Sequence, residues 1–256
     1  QTILFREFIT SKGEKDVIYL RKMNGSPAIK LGQGFPLSLS QDGNFALVAL
    51  TSKSPLQLAL VPTGSGEQTF IRNDAKLNYE HADEEPMLAR MLPDGTILFA
   101  AREAGRKTRL FAQNLNKGES TPVTPEGVST PGETKPVSPD GKWVFAQKDG
   151  HYSLFPILEG EPQAIRGLLP RDIPIQWSAN GHALYVRQGD EYSTISAKIF
   201  RLDLSSGVRE LWKELLPSDP AGVWYVDPIF IALDGKSYAY SYWRELSDLF
   251  LAEGLK

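Results

Sequence analysis

The sequence predicts an all-β fold, a six-bladed β-propeller of four-stranded antiparallel blades, and three observations predict it. A five-residue punctuation recurs: Ser40-Gln41-Asp42-Gly43-Asn44, Leu92-Pro93-Asp94-Gly95-Thr96, Ser138-Pro139-Asp140-Gly141-Lys142, Ser178-Ala179-Asn180-Gly181-His182 and Ala232-Leu233-Asp234-Gly235-Lys236. Each copy is followed by a run rich in β-branched, aromatic and aliphatic residues. The marker glycines lie 52, 46, 40 and 54 positions apart, close to the roughly 40–45 residues of a propeller blade with loop insertions.

Asp-Gly and Asn-Gly supply positive backbone dihedrals, so each punctuation is expected to close a tight hairpin between a first and a second strand. The second strands are residues 44–49, 96–101, 142–147, 182–187 and 236–241. Third strands carry an aromatic residue beside leucine, as in Arg109-Leu110-Phe111, Ser153-Leu154-Phe155, Ile199-Phe200-Arg201-Leu202 and Asp248-Leu249-Phe250-Leu251. Fourth strands follow a glycine, at residues 66–70, 118–123, 160–165 and 207–211. Insertions are expected near residues 72–86, 124–134 and 213–226. A sixth, incomplete copy opens the chain, with Thr2–Ile9, Asp16–Met23 and Gly25–Leu31 as its second, third and fourth strands. The last copy ends after its third strand, so the closing seam is expected to be incomplete, and Gln1 to be a boundary within a longer parent protein. One domain spanning 1–256 is the expectation.

Composition narrows the function. The 256 residues carry 31 acidic and 28 basic side chains, a net charge of −3, so no long-range positive field gathers nucleic acid. The absence of cysteine excludes disulfides, thiolate metal sites and cysteine nucleophiles, and is compatible with either redox compartment. No apolar stretch reaches membrane-spanning length, so no direct membrane insertion is expected.

The Ser138-Pro139-Asp140-Gly141-Lys142 copy resembles the core of WD-like, TolB-type propeller repeats, and the resemblance covers nearly the whole chain. The stretch from Tyr238-Ala239-Tyr240-Ser241-Tyr242 to Lys256 resembles the C-terminal end of propeller regions attached to bacterial transmembrane serine/threonine protein kinases, particularly those of acidobacteria. That resemblance implies a sensory or protein-interaction module, extracytoplasmic and tethered through a parent membrane protein, although composition alone is equally compatible with the cytoplasm. The sequence has no glycine-rich phosphate loop, His-Arg-Asp or Asp-Phe-Gly motif, so kinase activity is not assigned to it. The alternatives are a free periplasmic TolB-like scaffold binding partner peptides, and the propeller cap of a prolyl-oligopeptidase-type hydrolase whose catalytic domain lies elsewhere.

No catalytic residue, metal site or cofactor is assigned. His182 and His151 read as exposed turn residues. Gly64-Ser65-Gly66 lacks the full nucleophile-elbow pattern and reads as a turn. Glu80, His81, Asp83 and Glu84 pair imidazole with carboxylates but lack fixed ligand spacing, and read as a solvated loop. Binding is expected on the loops entering the inner strands: Glu80, His81, Asp83 and Glu84, then Arg171 and Asp172, then Trp224, Tyr225 and Asp227. Trp, Tyr and Arg are the residue types that dominate binding surfaces; the structural alternative packs Trp224 and Tyr225 between blades and pairs Arg171 with a carboxylate. Trp143, Trp177 and Tyr185 are expected in the core. The expected partner is a protein, a peptide or a small-molecule signal, and an open blade edge offers a route to a homodimer.

Overall fold

The computed structural model describes residues 2–9, 13–50, 52–53, 55–79, 89–115, 118–131, 134–189, 195–232 and 234–246. Every regular element among them is a β-strand, and all pairings are antiparallel. Backbone contacts divide the chain into two compact units, residues 1–165 and 166–256.

The first unit contains four sheets. Strands β1 (Thr2–Ile9), β2 (Lys15–Lys22) and β3 (Ile29–Gln33) form a three-stranded meander. Strands β4 (Phe35–Leu39), β5 (Phe45–Leu50), β6 (Gln57–Pro62) and β7 (Thr69–Phe70) form a complete four-stranded blade. In the third sheet β8 (Leu77–Tyr79) and β9 (Ala89–Met91) both pair with β10 (Ile97–Glu103), which continues to β11 (Arg109–Gln113) and β12 (Ser120–Pro122). The insertion expected near 72–86 therefore splits the inner position of this blade into two short strands. The fourth sheet has β13 (Trp143–Lys148), β14 (His151–Pro156) and β15 (Gln163–Ala164). Its inner position is reduced to the isolated bridges Val137↔Val144 and Ser129↔Gln147. Pro131 and Pro136 interrupt that segment, and proline has no N–H to donate to a ladder.

The second unit contains the four-stranded blade β16 (Ile173–Trp177), β17 (Ala183–Arg187), β18 (Ala197–Asp203) and β19 (Arg209–Leu215). It also contains a two-stranded ladder of β20 (Val223–Ile231) and β21 (Tyr238–Arg244). These are propeller-type meanders. Five sheets reach three or more strands, so among the described residues there are five blades of unequal width rather than six uniform four-stranded ones. The third strand expected at 248–251 lies outside the described residues.

The punctuation turns differ from the expected tight hairpin. Only glycine takes the left-handed conformation, with φ of 73° at Gly43, 82° at Gly95, 72° at Gly141, 73° at Gly181 and 66° at Gly235. In every copy the glycine N–H donates to the carbonyl three residues back, at 2.9 Å for Gly43 to Ser40 and 3.0 Å for Gly95 to Leu92. Ser40 N–H then bonds Phe45 O at 2.9 Å, Ser138 N–H bonds Trp143 O at 2.8 Å and Ser178 N–H bonds Ala183 O at 2.8 Å. This is a four-residue loop built on a type I turn, which explains why Pro93 and Pro139 fit the position after its first residue. A two-residue hairpin with both φ positive occurs at Asp149 (51°) and Gly150 (79°), between β13 and β14.

In the three copies that begin with serine, side chains fasten the turn identically. The Ser40, Ser138 and Ser178 hydroxyls donate to Asp42, Asp140 and Asn180 at 2.6, 2.6 and 2.8 Å. The same hydroxyls accept from Phe45, Trp143 and Ala183 N–H at 2.9, 2.9 and 3.0 Å. A side-chain Oδ1 is all the turn requires, so aspartate and asparagine are interchangeable there. The serine hydroxyl bonds hold the Asp42 and Asp140 carboxyls below the ordinary range.

The blades pack by alternation. On β10, Ile97, Phe99 and Ala101 join Leu37, Leu47, Ala49 and Leu58 of the preceding blade, while Leu98 joins Leu110, Val144, Ala146 and Phe155 on the other side. Both faces of the strand are thus buried, as expected of a middle layer between two sheets. In the second unit Ile175, Tyr185, Ala197, Ile199 and Leu215 pack against Val226, Ile229 and Ile231. Trp177 and Tyr185 lie in the core, as expected, and Trp143 is half-buried.

Among the described residues adjacent sheets exchange no ladder bonds, and at three inner strands polar side chains make the join instead. The joining residue stands four positions before the turn Asp or Asn. Ser38 Oγ accepts Met91 N–H at 3.2 Å, and Gln176 Oε1 accepts Ile231 N–H at 3.2 Å. Gln176 Nε2 also donates to Ile231 O at 2.9 Å. Arg90 occupies the same position in its blade and donates to Leu37 O and, at 2.9 Å, to Thr134 O.

Two predictions follow from this framework. Gln176 is 3% exposed, and Gln176→Leu leaves the Ile231 N–H and carbonyl without it, for an expected loss of about 2–3 kcal/mol in urea unfolding. The acid response of Asp140 has a definite sign: its depressed folded pKa contributes stability above the unfolded value, 3.8, lost as pH falls through the folded value. Asp140→Asn, which copies Asn180, keeps the turn and flattens the fall in urea midpoint between about pH 6 and about pH 3.

Candidate functional site

The loops that enter β16 and β20 bring most of the expected binding residues onto the second unit, at the strand ends remote from the punctuation turns. Gly167 opens the first loop with φ 79°, and a Cβ there would stand 2.1 Å from Gly207 O, so the loop lies directly on the β18–β19 turn. Asp172 is 3% exposed and braces it. Its Oδ2 accepts Leu169 N–H at 2.9 Å and an Arg209 Nη1–H at 2.7 Å. The Arg209 guanidinium in turn lies 4.1 Å over the Phe200 ring. Charge-assisted bonds at such distances are the strong kind. Asp172 is therefore a brace, and the residue it holds in place is Arg171, exposed and at φ 66°. A bulky side chain in the left-handed region is strained, and such strain persists only where neighbours impose it.

Two register shifts shape β20, one between Val223 and Tyr225 and one between Val226 and Ile229. The first sets Trp224 on a bulge, 63% exposed, and Tyr225 opposite Trp243, itself 66% exposed. The Tyr225 and Trp243 rings are 6.2 Å apart and tilted by 31°. Bulges re-aim side chains in this way. The expected alternative, Trp224 packed between blades, does not occur. The second shift contains the cis Asp227–Pro228 peptide. Beneath it Arg187, at the end of β17 and 1% exposed, donates to Val226 O at 2.7 Å and stands 3.6 Å from the Asp227 carboxylate.

The loop between β19 and β20 is tied to β21. Arg244 Nε donates to Ala221 O at 2.8 Å, and its Nη2 pairs with Asp219. Glu245 N–H donates to Gly222 O at 2.9 Å, and Tyr240 donates to Leu216 O at 3.3 Å. The Arg244 bond holds the Asp219 carboxyl below its usual range, and Asp219 raises the guanidinium in return. Along β21, Tyr238, Tyr240 and Tyr242 share one face with consecutive centroid separations of 6.3 and 6.4 Å, and Lys213 Nζ lies 4.4 Å over the Tyr238 ring. Exposed aromatic area is thereby mounted on a ladder whose entry loop is fastened.

Glu80, His81, Asp83 and Glu84 lie outside the described residues. His151 and His182 are exposed. Among the described residues no group of three or more His, Asp or Glu side chains is placed to hold a metal ion, and no helix is long and apolar enough to cross a membrane. Sequence reasoning missed Trp243, Arg187 and Arg209. Trp243 could be found only by pairing β20 with β21 in register, and the two arginines only by knowing which carboxylate each strand end meets.

No known family profile and no curated protein matches the sequence. Solved structures do match its fold. TolB from Acinetobacter baumannii superposes with a TM-score of 0.66 at 13% identity, over 94% of this chain and 63% of that one. An oligogalacturonate lyase from Vibrio parahaemolyticus gives 0.58 at 14% identity, over 92% of this chain and 70% of that one. A puromycin hydrolase gives 0.51 at 17% identity, over 88% of this chain but only 37% of the hydrolase. The fold is a TolB-like β-propeller. The same fold serves proteins of three different descriptions, so it does not itself choose among them.

The fastening of the entry loop is testable. Arg244→Met removes both the Ala221 and Asp219 contacts, and hydrogen exchange is expected to quicken at residues 219–223 while β16–β18 amides keep their protection.

Proposed function

We propose that this chain is a non-catalytic binding module that engages a protein or peptide partner through the Trp224–Tyr225–Trp243 surface of its second unit. The observation that carries the reading is two tryptophans, each more than 60% exposed, flanking a tyrosine on a ladder with a fastened entry loop. Tryptophan and tyrosine give large contact area at small entropic cost, and they dominate the energetics of binding surfaces. Arg171, presented by the braced loop, adds a forked donor set on the same unit. Asp227 is half-buried and faces Arg187, so it supports the surface from below. The acidic group Glu80, His81, Asp83 and Glu84 remains a candidate for a separate contact on the first unit.

A TolB-like scaffold role is consistent with this reading, since the fold is shared with TolB. The finer reading, an extracytoplasmic sensor joined to a membrane serine/threonine kinase, rests on the sequence resemblance of residues 238–256. The cap reading rests on the fold that the chain shares with a puromycin hydrolase, of which it covers 37%.

Selection from a displayed random-peptide library tests the proposal. Peptides enriched on the wild-type chain are expected to bind Trp224→Ala and Trp243→Ala roughly 10- to 100-fold more weakly, with unfolding free energies changed by no more than about 0.5 kcal/mol. Enriched peptides that bind both variants as well as wild type would place the interface elsewhere and overturn it.

A further inference from the structure

Tyr185 and Arg201 depart from a pattern that the other blades keep. The residue five positions after the turn Asp or Asn lies on a blade's second strand and faces a residue of the third. The pairs are Leu47 with Leu60, Phe99 with Phe111, Phe145 with Leu154 and Tyr185 with Arg201. Three of these four are wholly apolar, so the packing of a blade does not call for a phenol and a guanidinium at this place.

Alternation fixes where the pair points. Ala197 and Ile199 pack with Tyr185 against Val226, Ile229 and Ile231, and Arg201, two residues farther along β18, shares their face. Where that face reaches the turn before β21, a cleft of about 220 Å³ opens, lined by Ser178, Asn180, Tyr185, Arg201, Asp234 and Gly235. It belongs to the second unit alone and lies at the punctuation-turn ends of the strands, opposite the Trp224–Tyr225–Trp243 surface. Tyr185 is 6% exposed, and its ring is held edge-on by Trp212 at 5.2 Å. A Cβ on Gly235 would come within 2.6 Å of the Tyr185 hydroxyl, so glycine keeps the cleft open over it.

Among the described residues the Tyr185 hydroxyl has no hydrogen-bond partner. Nor does the half-buried Arg201 guanidinium, although Glu210 stands across the ladder. Asp234 Oδ1 accepts Lys236 N–H at 2.9 Å, which leaves Oδ2 for a further donor. Folded proteins ordinarily satisfy their buried polar groups. A phenol, a guanidinium and a carboxylate oxygen left unengaged around one cleft are suited to a ligand that carries both an acceptor and a donor.

We propose that this cleft binds a small zwitterion of the free α-amino acid class. The Arg201 fork and the Tyr185 hydroxyl donate to its carboxylate, and Asp234 Oδ2 accepts from its ammonium. A bare anion would meet Asp234 and a bare amine would meet Arg201, whereas a ligand with both charges satisfies each. The volume, about seven times the ~30 Å³ share of one water, admits a molecule of that size.

Thermal unfolding of the chain with each genetically encoded L-α-amino acid, followed by calorimetry on those that act, tests the proposal. At least one is expected to raise the melting temperature saturably, and its N-acetylated derivative, which lacks the ammonium, to bind about tenfold or more weakly. Arg201→Leu and Tyr185→Phe copy Leu60 and Phe99 of the equivalent pairs. Both are expected to unfold in urea at the wild-type midpoint or above, while binding weakens at least about tenfold in the first and about threefold in the second. The inference fails if no amino acid raises the melting temperature, or if Arg201→Leu responds as wild type does. It fails equally if the N-acetylated form binds as tightly as the free amino acid. A lowered midpoint of unliganded Arg201→Leu would make the pair a structural part of the blade contact and overturn it as well.

Discussion

Sheets stacked face to face share no main-chain hydrogen bonds, and everything else in this chain accommodates that constraint. Within a blade the ladder satisfies backbone groups; between blades the contact is apolar and non-directional. Such contacts alone leave the inner strands free to slide. In three of the five repeats the side chain four residues before the turn Asp or Asn supplies the missing direction, through Ser38 to Met91, Arg90 to Leu37 and Thr134, and Gln176 to Ile231. A few polar atoms thereby set the register between layers that hydrophobic packing holds together but does not align.

The same economy explains what varies between repeats. The turn needs one glycine at positive φ and one side-chain oxygen, so Gln41, Pro93, Pro139 and Ala179 are all accepted at the position between. Leu92 and Ala232 replace the serine in two copies, and there Asp94 and Asp234 still accept the N–H two residues on, at 2.9 Å each. The linking position is freer still: a hydroxyl, an amide and a guanidinium each reach the neighbouring backbone. Only the guanidinium brings charge, which separates Arg90 from its equivalents.

The repeat was legible because turn chemistry is local. Strands following the punctuation fall where alternation and β-propensity place them, and so does β1 at Thr2–Ile9, which no punctuation precedes. Blade count and width were less legible: pairing depends on partners distant in sequence, and prolines at 131 and 136 reduce an inner strand to bridges. The closing of a hairpin at each punctuation was legible, but its four-residue length was not, because Asp-Gly also suits a two-residue hairpin such as Asp149-Gly150. At the candidate site the residue types drew attention to Arg171, Asp172, Trp224 and Tyr225. The division of labour among them was not visible, because burial of Asp172 against Arg209 and exposure of Trp224 on a bulge are tertiary facts.

The two-residue outer strands β7 and β15 stand in contrast to β10, whose alternate side chains are claimed by two different cores. A blade of the first unit is consequently graded, anchored where it meets its neighbours and thin at its rim, with Phe70 exposed on the outermost strand. Sequence drift and insertion are cheap at such a rim and expensive at its root. A lineage can therefore rework the periphery of every blade while the inner strands, and whatever they hold, stay as they are.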